Sequence, residues 1–298
     1  MDILQIKGLY KDFKDKSVLK GLSLTVPEHS IYGFIGRNGS GKTTTMKAVI
    51  GMLRPDSGEI YVCGKRVKYG QTETNKYIGY LPDVPEYYGY MTAMEYLTLC
   101  GDVSGLPAHE VNRRAERLLA LVGLSDQTHR IKGFSRGMKQ RLGIAQALLG
   151  KPKLLICDEP TSALDPVGRK EILDVLKAAA SETTVLFSTH ILTDVERICT
   201  DAAFLHDGKI VLQGKIGELK AINRTREFLV EASEDAVNAL LAAYPCGKAK
   251  SAQTAVFCDD DVQMNEVLRY IAEQNLTVER VERNDPNLEA LFLEVTEQ

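Results

Sequence analysis

The sequence contains no run of about 18 apolar residues, so no membrane-spanning helix is expected. It has no basic excess either: the formal net charge is -3. A dedicated nucleic-acid binder ordinarily carries a basic face, so that class is disfavoured. The six cysteines, Cys63, Cys100, Cys157, Cys199, Cys246 and Cys258, form no Cys-x-x-Cys pair. That spacing predicts unpaired, mostly buried thiols in a reducing cytosol. The opening Met1–Ile6 lacks the basic start and apolar run of a signal peptide and alternates as a strand does. Neither a sequence repeat nor a low-complexity tract is found.

What is present is ordinary for a globular protein: 298 residues, 44% hydrophobic and 26% charged. The length suits one large domain, or one domain with a small appendage. Strand-like runs occur at Ile3–Ile6, Leu22–Val26 and Ile31–Ile35, followed by a Gly-rich turn and a helical stretch from about Lys42 to Leu53. Arg54-Pro55-Asp56-Ser57-Gly58 is a turn signal, and Glu59–Cys63 reads as a strand. From Thr92 to Leu149 the pattern is helical, with Thr92 and Glu95 spaced as a capping box and Pro107 suited to a helical first turn.

Strands and helices then alternate: Leu154–Cys157, Pro166–Ala179, Thr184–Phe187 and Ile191–Cys199. Two short strands near Ala202–Leu205 and Lys209–Leu212 flank Asp207-Gly208, a tight-hairpin dipeptide. Short apolar strands between helices predict a parallel α/β sheet covered on both faces. A helix over Lys215–Asn223 closes this part. The rest changes rhythm: strand-like Glu227–Ala232, helix-like Glu234–Ala243, a break at Pro245-Cys246-Gly247, and strand-like Ala255–Cys258. Helix-like Val262–Gln274, strand-like Val278–Val281 and a last helix near Pro286–Leu293 follow. The expected organisation is a domain over 1–223, with a helical part at about 84–150, and a small α+β appendage over 224–298.

Gly36-Arg37-Asn38-Gly39-Ser40-Gly41-Lys42-Thr43-Thr44 follows an apolar strand and opens a helix. This is the G-x-x-x-x-G-K-[ST] pattern in its required context. Glycines let the loop wrap tightly and turn backbone N–H groups inward, and the helix N-terminus adds positive potential. Lys42 supplies a cation for the β- and γ-phosphates of a bound nucleotide, and the Thr43 hydroxyl is a ligand for Mg²⁺. The strand Leu154–Cys157 ends in Asp158-Glu159. Sites gather at the carboxyl ends of parallel strands, which places Asp158 toward the metal. Glu159 becomes the candidate base that orients water. His190 follows another apolar strand on the same edge of the sheet.

Phe134-Ser135-Arg136-Gly137-Met138-Lys139-Gln140-Arg141 resembles the signature motif of ATP-binding-cassette (ABC) proteins, and Ser162-Ala163-Leu164-Asp165 resembles their D-loop. His190 matches the switch histidine of that family, and Phe13 falls where the family stacks an aromatic ring on adenine. The resemblance covers roughly residues 1–220. It implies a P-loop NTPase cassette with a mixed sheet and helical subdomain, binding ATP and Mg²⁺. It further implies that Ser135 and Gly137 cap the γ-phosphate held by a second cassette, in a homodimer.

Three residues depart from the family's usual Leu-Ser-Gly-Gly-Gln: Phe134, Arg136 and Met138. Asp83 stands where Gln is common; an acid can contact Mg²⁺ or a water but donates no hydrogen bond while ionised. Arg37 stands where Pro is frequent. Tyr87, Tyr88 and Tyr90 fall where the membrane subunit of such transporters docks, and half-buried packing accounts for them equally well. One cassette without a long coiled-coil insertion is similar to an exporter ATPase whose integral-membrane subunit is a separate chain. The tail Asn287–Glu294 resembles those of drug, lantibiotic or bacitracin exporters. The implied location is the cytoplasm, peripheral to the membrane's inner face, with no nucleic-acid partner. The alternatives are a soluble ABC ATPase acting on nucleic acid or ribosomes, and a slow regulatory module.

Overall fold

A computed structural model describes residues 2–14, 16–70, 73–222, 227–259, 261–283 and 288–297. The chain divides into two compact units, Met1–Ile216 and Gly217–Gln298. The first unit is built on two sheets. Strands Asp2–Phe13, Lys16–Pro27, Ser57–Val62 and Lys65–Arg66 form an antiparallel sheet in which Asp2–Phe13 lies between Lys16–Pro27 and Ser57–Val62.

The second sheet has six strands. Across it run Lys209–Lys215, Asp201–His206, Ile31–Gly36, Thr184–Thr189, Leu154–Cys157 and Ile78–Leu81. Every pairing is parallel except that of Asp201–His206 with Lys209–Lys215. That antiparallel edge makes the sheet mixed. The hairpin joining these two strands turns at Asp207 (φ 44°) and Gly208 (φ 75°), the positive-φ pair that the dipeptide favours. The central strands Ile31–Gly36, Leu154–Cys157 and Thr184–Thr189 are buried at every position, as strands covered on both faces must be.

The helix Lys42–Val49 joins the two sheets into one core. Its Met46, Ala48 and Val49 pack in a single cluster with Ile6, Leu24, Ile60 and Val62 of one sheet and Phe34, Ile156 and Leu205 of the other. Three helices, Ala93–Val103, Ala108–Leu121 and Arg136–Leu148, make the helical part of this unit. The first is closed by the full capping box between Thr92 and Glu95.

The second unit is a four-stranded antiparallel sheet in the order Lys248–Ser251, Thr254–Cys258, Glu227–Ala232, Val278–Arg283. With helices Glu234–Ala243 and Met264–Glu273 it reads β-α-β-β-α-β, the split βαβ arrangement. Phe228 and Phe257 stack at 5.4 Å beneath Val237, Leu240 and Val267.

Several expectations are corrected. The helix beginning at Lys42 ends at Val49 rather than Leu53, because the chain turns at Gly51 (φ 74°). The stretch Thr92–Leu149 is interrupted at residues 104–107 and 122–135. Pro107 caps its helix from outside rather than sitting in the first turn. The helix expected from Val262 starts at Met264. Strands Ile78–Leu81 and Lys248–Ser251 were not expected at all. The cysteines are free, but only Cys157 is buried; Cys246 is exposed and the other four are intermediate. Asn223, Arg224, Pro286 and Asn287, at expected boundaries, lie outside the described residues.

Candidate functional site: the phosphate loop and the carboxylates beside it

The loop Gly36–Gly41 leaves the buried central strand and enters the helix Lys42–Val49. Close packing dictates two of its glycines, Gly36 and Gly41. A Cβ on Gly36 would stand 2.6 Å from Ser40 Oγ and 2.8 Å from the Leu205 carbonyl oxygen. One on Gly41 would stand 2.8 Å from Leu19 Cδ2, and Gly41 has φ 112°. Gly41 is also the helix N-cap, so no side chain occupies the first-turn donors, and no acidic residue lies there. Open N–H groups at an uncapped N-terminus are an anion site. Ser40 Oγ is enclosed without a hydrogen-bond partner, one more group available to a ligand. Arg37, Asn38, Gly39 and Thr43 are exposed, and Thr44 is half-buried.

Lys42 is 6% exposed, with Nζ donating to the Gly36 carbonyl at 2.6 Å and lying 3.0 Å from Glu159 Oε1. Glu159 Oε2 in turn lies 2.9 Å from His190 Nδ1. A carboxylate accepts only, so Nδ1 carries the hydrogen. Asp158 is 1% exposed. Its position follows from the neighbouring strands: its N–H donates to the Leu81 carbonyl at 2.8 Å, and Ser188 Oγ–H donates to its Oδ1 at 2.7 Å. The same Ser188 oxygen accepts from the Glu159 N–H at 2.9 Å. Glu159 itself has φ 48°, a left-handed conformation that costs a non-glycine residue energy and is characteristic of functional sites. Ser188 is the residue that sequence reasoning passed over. Its signal was a hydroxyl directly after the buried apolar run Val185–Phe187, one that needs a partner.

Asp83 lies beyond the edge strand Ile78–Leu81, with Oδ1 3.7 Å from Arg136 Nη2. Burial raises its carboxyl pKa; Arg136 opposes this, while the charges of Asp158 and Glu159 add to it. The structure thus gathers Lys42, Asp158, Glu159, Ser188 and His190, with Asp83 in the field of the two acids.

Ser135 caps the helix Arg136–Leu148, accepting from the Met138 N–H at 3.2 Å. Asp165 caps Pro166–Ala179, accepting from the Gly168 N–H at 3.2 Å. A Cβ on Gly137 would be 3.8 Å from Leu164 Cδ2, so signature and D-loop adjoin. Both residues therefore have local capping work besides any role toward a ligand. Phe13, at the end of its strand, is 44% exposed and has Lys11 Nζ 5.3 Å from its ring centroid. The three tyrosines divide. Tyr87 is tied inward, its hydroxyl donating to the Lys139 carbonyl at 2.6 Å, while Tyr88 and Tyr90 are 54% and 62% exposed.

Comparison with known proteins decides the family. The family model described as ABC transporter matches residues 19–162. The uncharacterized ABC transporter ATP-binding protein YxlF of Bacillus subtilis (strain 168) is 39% identical over 98% of this chain and 99% of its own length. This chain belongs to the ATP-binding proteins of ABC transporters. The bacitracin transport ATP-binding protein BcrA of Enterococcus faecalis is 32% identical over 97% of this chain and 95% of its own. Among solved structures, an ATP-binding subunit of an ABC transporter is 32% identical over 74% of this chain and 92% of its own, with a TM-score of 0.66. The ADP conformation of an ABC transporter's ATP-binding cassette, 26% identical, also gives 0.66. Among the described residues no helix is long and apolar enough to cross a membrane.

Proposed function

We propose that this chain binds ATP with Mg²⁺ on Gly36–Thr44, hydrolyses it with Glu159, and drives export through a separate integral-membrane subunit. The observation that carries the reading is the Lys42–Glu159–His190 cluster beside an uncapped helix N-terminus. The backbone N–H groups of Gly39–Thr44 and the Lys42 ammonium hold the β- and γ-phosphates. The Thr43 hydroxyl and Asp158 would hold the divalent cation, with Asp83 within its field; when bound, the cation neutralises charge developing on the phosphate oxygens.

Lys42 cannot serve Glu159 and the phosphates equally. As it turns to the phosphates, Glu159 Oε1 is released to accept a hydrogen bond from the attacking water. His190 meanwhile keeps Oε2 in place, which fixes the carboxylate's orientation. Glu159 is the general base and His190 its positioning partner.

Ser135 and Gly137 at the opening of the signature helix, with Asp165 nearby, face the nucleotide of a second copy. Closure of two copies is the stroke, and hydrolysis ends it. Residues 1–223 are the nucleotide-binding domain, its helical part at about 84–150 receives the membrane subunit near Tyr88 and Tyr90, and residues 224–298 are an accessory domain. The chain works in the cytoplasm, on the inner face of the membrane, without nucleic acid.

The test is a detergent pull-down of the tagged chain from its native membranes, read by mass spectrometry. Recovery of a multi-spanning membrane protein in near-equal amount supports the reading. A ribosomal or nucleoprotein partner in its place overturns the transport part.

A further inference from the structure

The helix Arg136–Leu148 carries no acidic residue in its first turn. Arg136 therefore places a cation where the helix dipole is already positive, which the helix itself disfavours. Its counter-ion comes from another element, Asp83, 3.7 Å away. The Asp83 backbone is fixed, because Gln140 on the same helix donates Nε2–H to its carbonyl at 2.6 Å. Its carboxylate is held much less. Oδ1 is enclosed yet accepts no hydrogen bond, and 3.7 Å exceeds hydrogen-bond length.

Both side chains of the pair are 46% exposed, and pairs of that kind contribute little and exchange readily. A cavity of about 260 Å³, lined by Asp83, Val84, Pro85, Arg136, Lys139 and Gln140, leaves the guanidinium room to move. Asp83 also feels the negative charges of Asp158 and Glu159. A weak cross-element ion pair thus joins the signature helix to the carboxylates of the chain's own phosphate site.

We propose that Arg136 is an exchangeable counter-ion: it neutralises Asp83 until the γ-phosphate of ATP on a second copy docks at the signature helix, and then transfers to that phosphate. The inference rests on the two-copy reading above. A phosphate carries more charge than a carboxylate and accepts a guanidinium in bidentate fashion, so the transfer runs downhill. Its departure leaves Asp83 uncompensated beside Asp158 and Glu159. Docking at one nucleotide is thereby felt at the carboxylates that serve the other. Arg136 acts here as a positioning residue for its own site and as a phosphate contact for its neighbour's.

The two halves of this ion pair should respond with opposite signs, which a purely structural pair would not. The experiment uses the full chain carrying Glu159→Gln, with ATP-driven self-association followed by analytical ultracentrifugation. Arg136→Ala should weaken association about tenfold, the loss of one charge-assisted contact. Asp83→Asn should release Arg136 and strengthen association by about three- to tenfold. In the Arg136→Ala background, Asp83→Asn should have no effect. Arg136→Lys, which keeps the charge but loses the bidentate fork, should fall between the parent and Arg136→Ala. Thermal melts confirm that each variant is folded.

Weakening by Asp83→Asn overturns the exchange, and so does strengthening that survives loss of Arg136. If the parent binds ATP but never associates, the two-copy reading itself is overturned and the exchange with it.

Discussion

Glu159 Oε1 lies 3.0 Å from Lys42 Nζ, so the candidate base and the phosphate-binding cation share one ion pair. Removing the charge of Glu159 separates binding from chemistry. Glu159→Gln should bind ATP at least as well as the parent, because Lys42 no longer has a competing carboxylate. Turnover should fall by about 10²–10⁴-fold, the range ascribed to a lost general base. Nucleotide titration and steady-state ATPase assays read the two effects separately. Hydrolysis at the parental rate would remove Glu159 from the base role.

Lys42→Ala should act on the other side of the pair. It deletes a cation that is 6% exposed and leaves Glu159 facing the phosphates. ATP affinity should fall by about 2–5 kcal/mol, as when one partner of a buried charge contact is truncated. Equilibrium binding of a fluorescent ATP analogue measures it, and unchanged affinity refutes the phosphate-loop assignment.

Gly137→Ala distinguishes folding from assembly. Within the chain the nearest heavy atom to an added Cβ is Leu164 Cδ2 at 3.8 Å, ordinary contact distance. The variant should melt within a degree or two of the parent, since nothing inside the fold objects. If the signature face receives a nucleotide from a second copy, ATP-driven association should nevertheless be lost. A large drop in melting temperature would contradict the first half of this prediction.

Phe13→Ala should raise the KM for ATP while leaving kcat near the parental value. Lys11 is held by Asp56 at 2.8 Å and lies over the Phe13 ring, so the ring is braced rather than free. Stacking on a base contributes about 1–3 kcal/mol, which sets the expected loss. An unchanged KM means that another residue holds the adenine.

Asp194→Asn should change the pH dependence of stability. Asp194 is 2% exposed and accepts a hydrogen bond from Thr161 at 2.7 Å. Burial raises its pKa above the ordinary carboxylate range. The folded state therefore keeps this proton to higher pH than the unfolded state does. Stability falls as pH rises from the ordinary carboxyl range through the raised folded value, and stays lower above it. The variant should gain melting temperature relative to the parent across that window, and little below it. Calorimetry from pH 4 to pH 8 tests this; a difference that shrinks as pH rises has the wrong sign.

Much of the first unit was legible because its signals are local. Leu154–Cys157 is an unbroken apolar run, and Pro166–Ala179 is bounded by an Asp165 cap with Pro166 behind it; both begin and end where expected. The phosphate loop was legible because Gly36 and Gly41, the two glycines that the motif fixes, each answer a steric demand. The strand Ile78–Leu81 was not, since four residues with Gly79 among them carry too little pattern. Its existence depends on Leu154–Cys157, far along the chain. Lys248–Ser251 is polar and wholly exposed, so only its pairing partner defines it. The link between Asp83 and Arg136 was invisible for the same reason: each was notable alone, and only the fold brings them within 3.7 Å.

The central strand of the parallel sheet pairs Ile31 with Val185 on one side and Tyr32 with Asp201 on the other. During synthesis that strand emerges early, and both neighbours arrive far later. At about 5–20 residues per second the wait is roughly ten to thirty seconds. The ATP site is thus among the last parts of its unit to take shape on the ribosome. Until then, an entirely apolar segment ending in the phosphate loop must be shielded by chaperones or by its own antiparallel sheet. Truncation between residues 44 and 184, before either neighbour is made, would leave a chain that carries the phosphate-loop motif and has nowhere to build it.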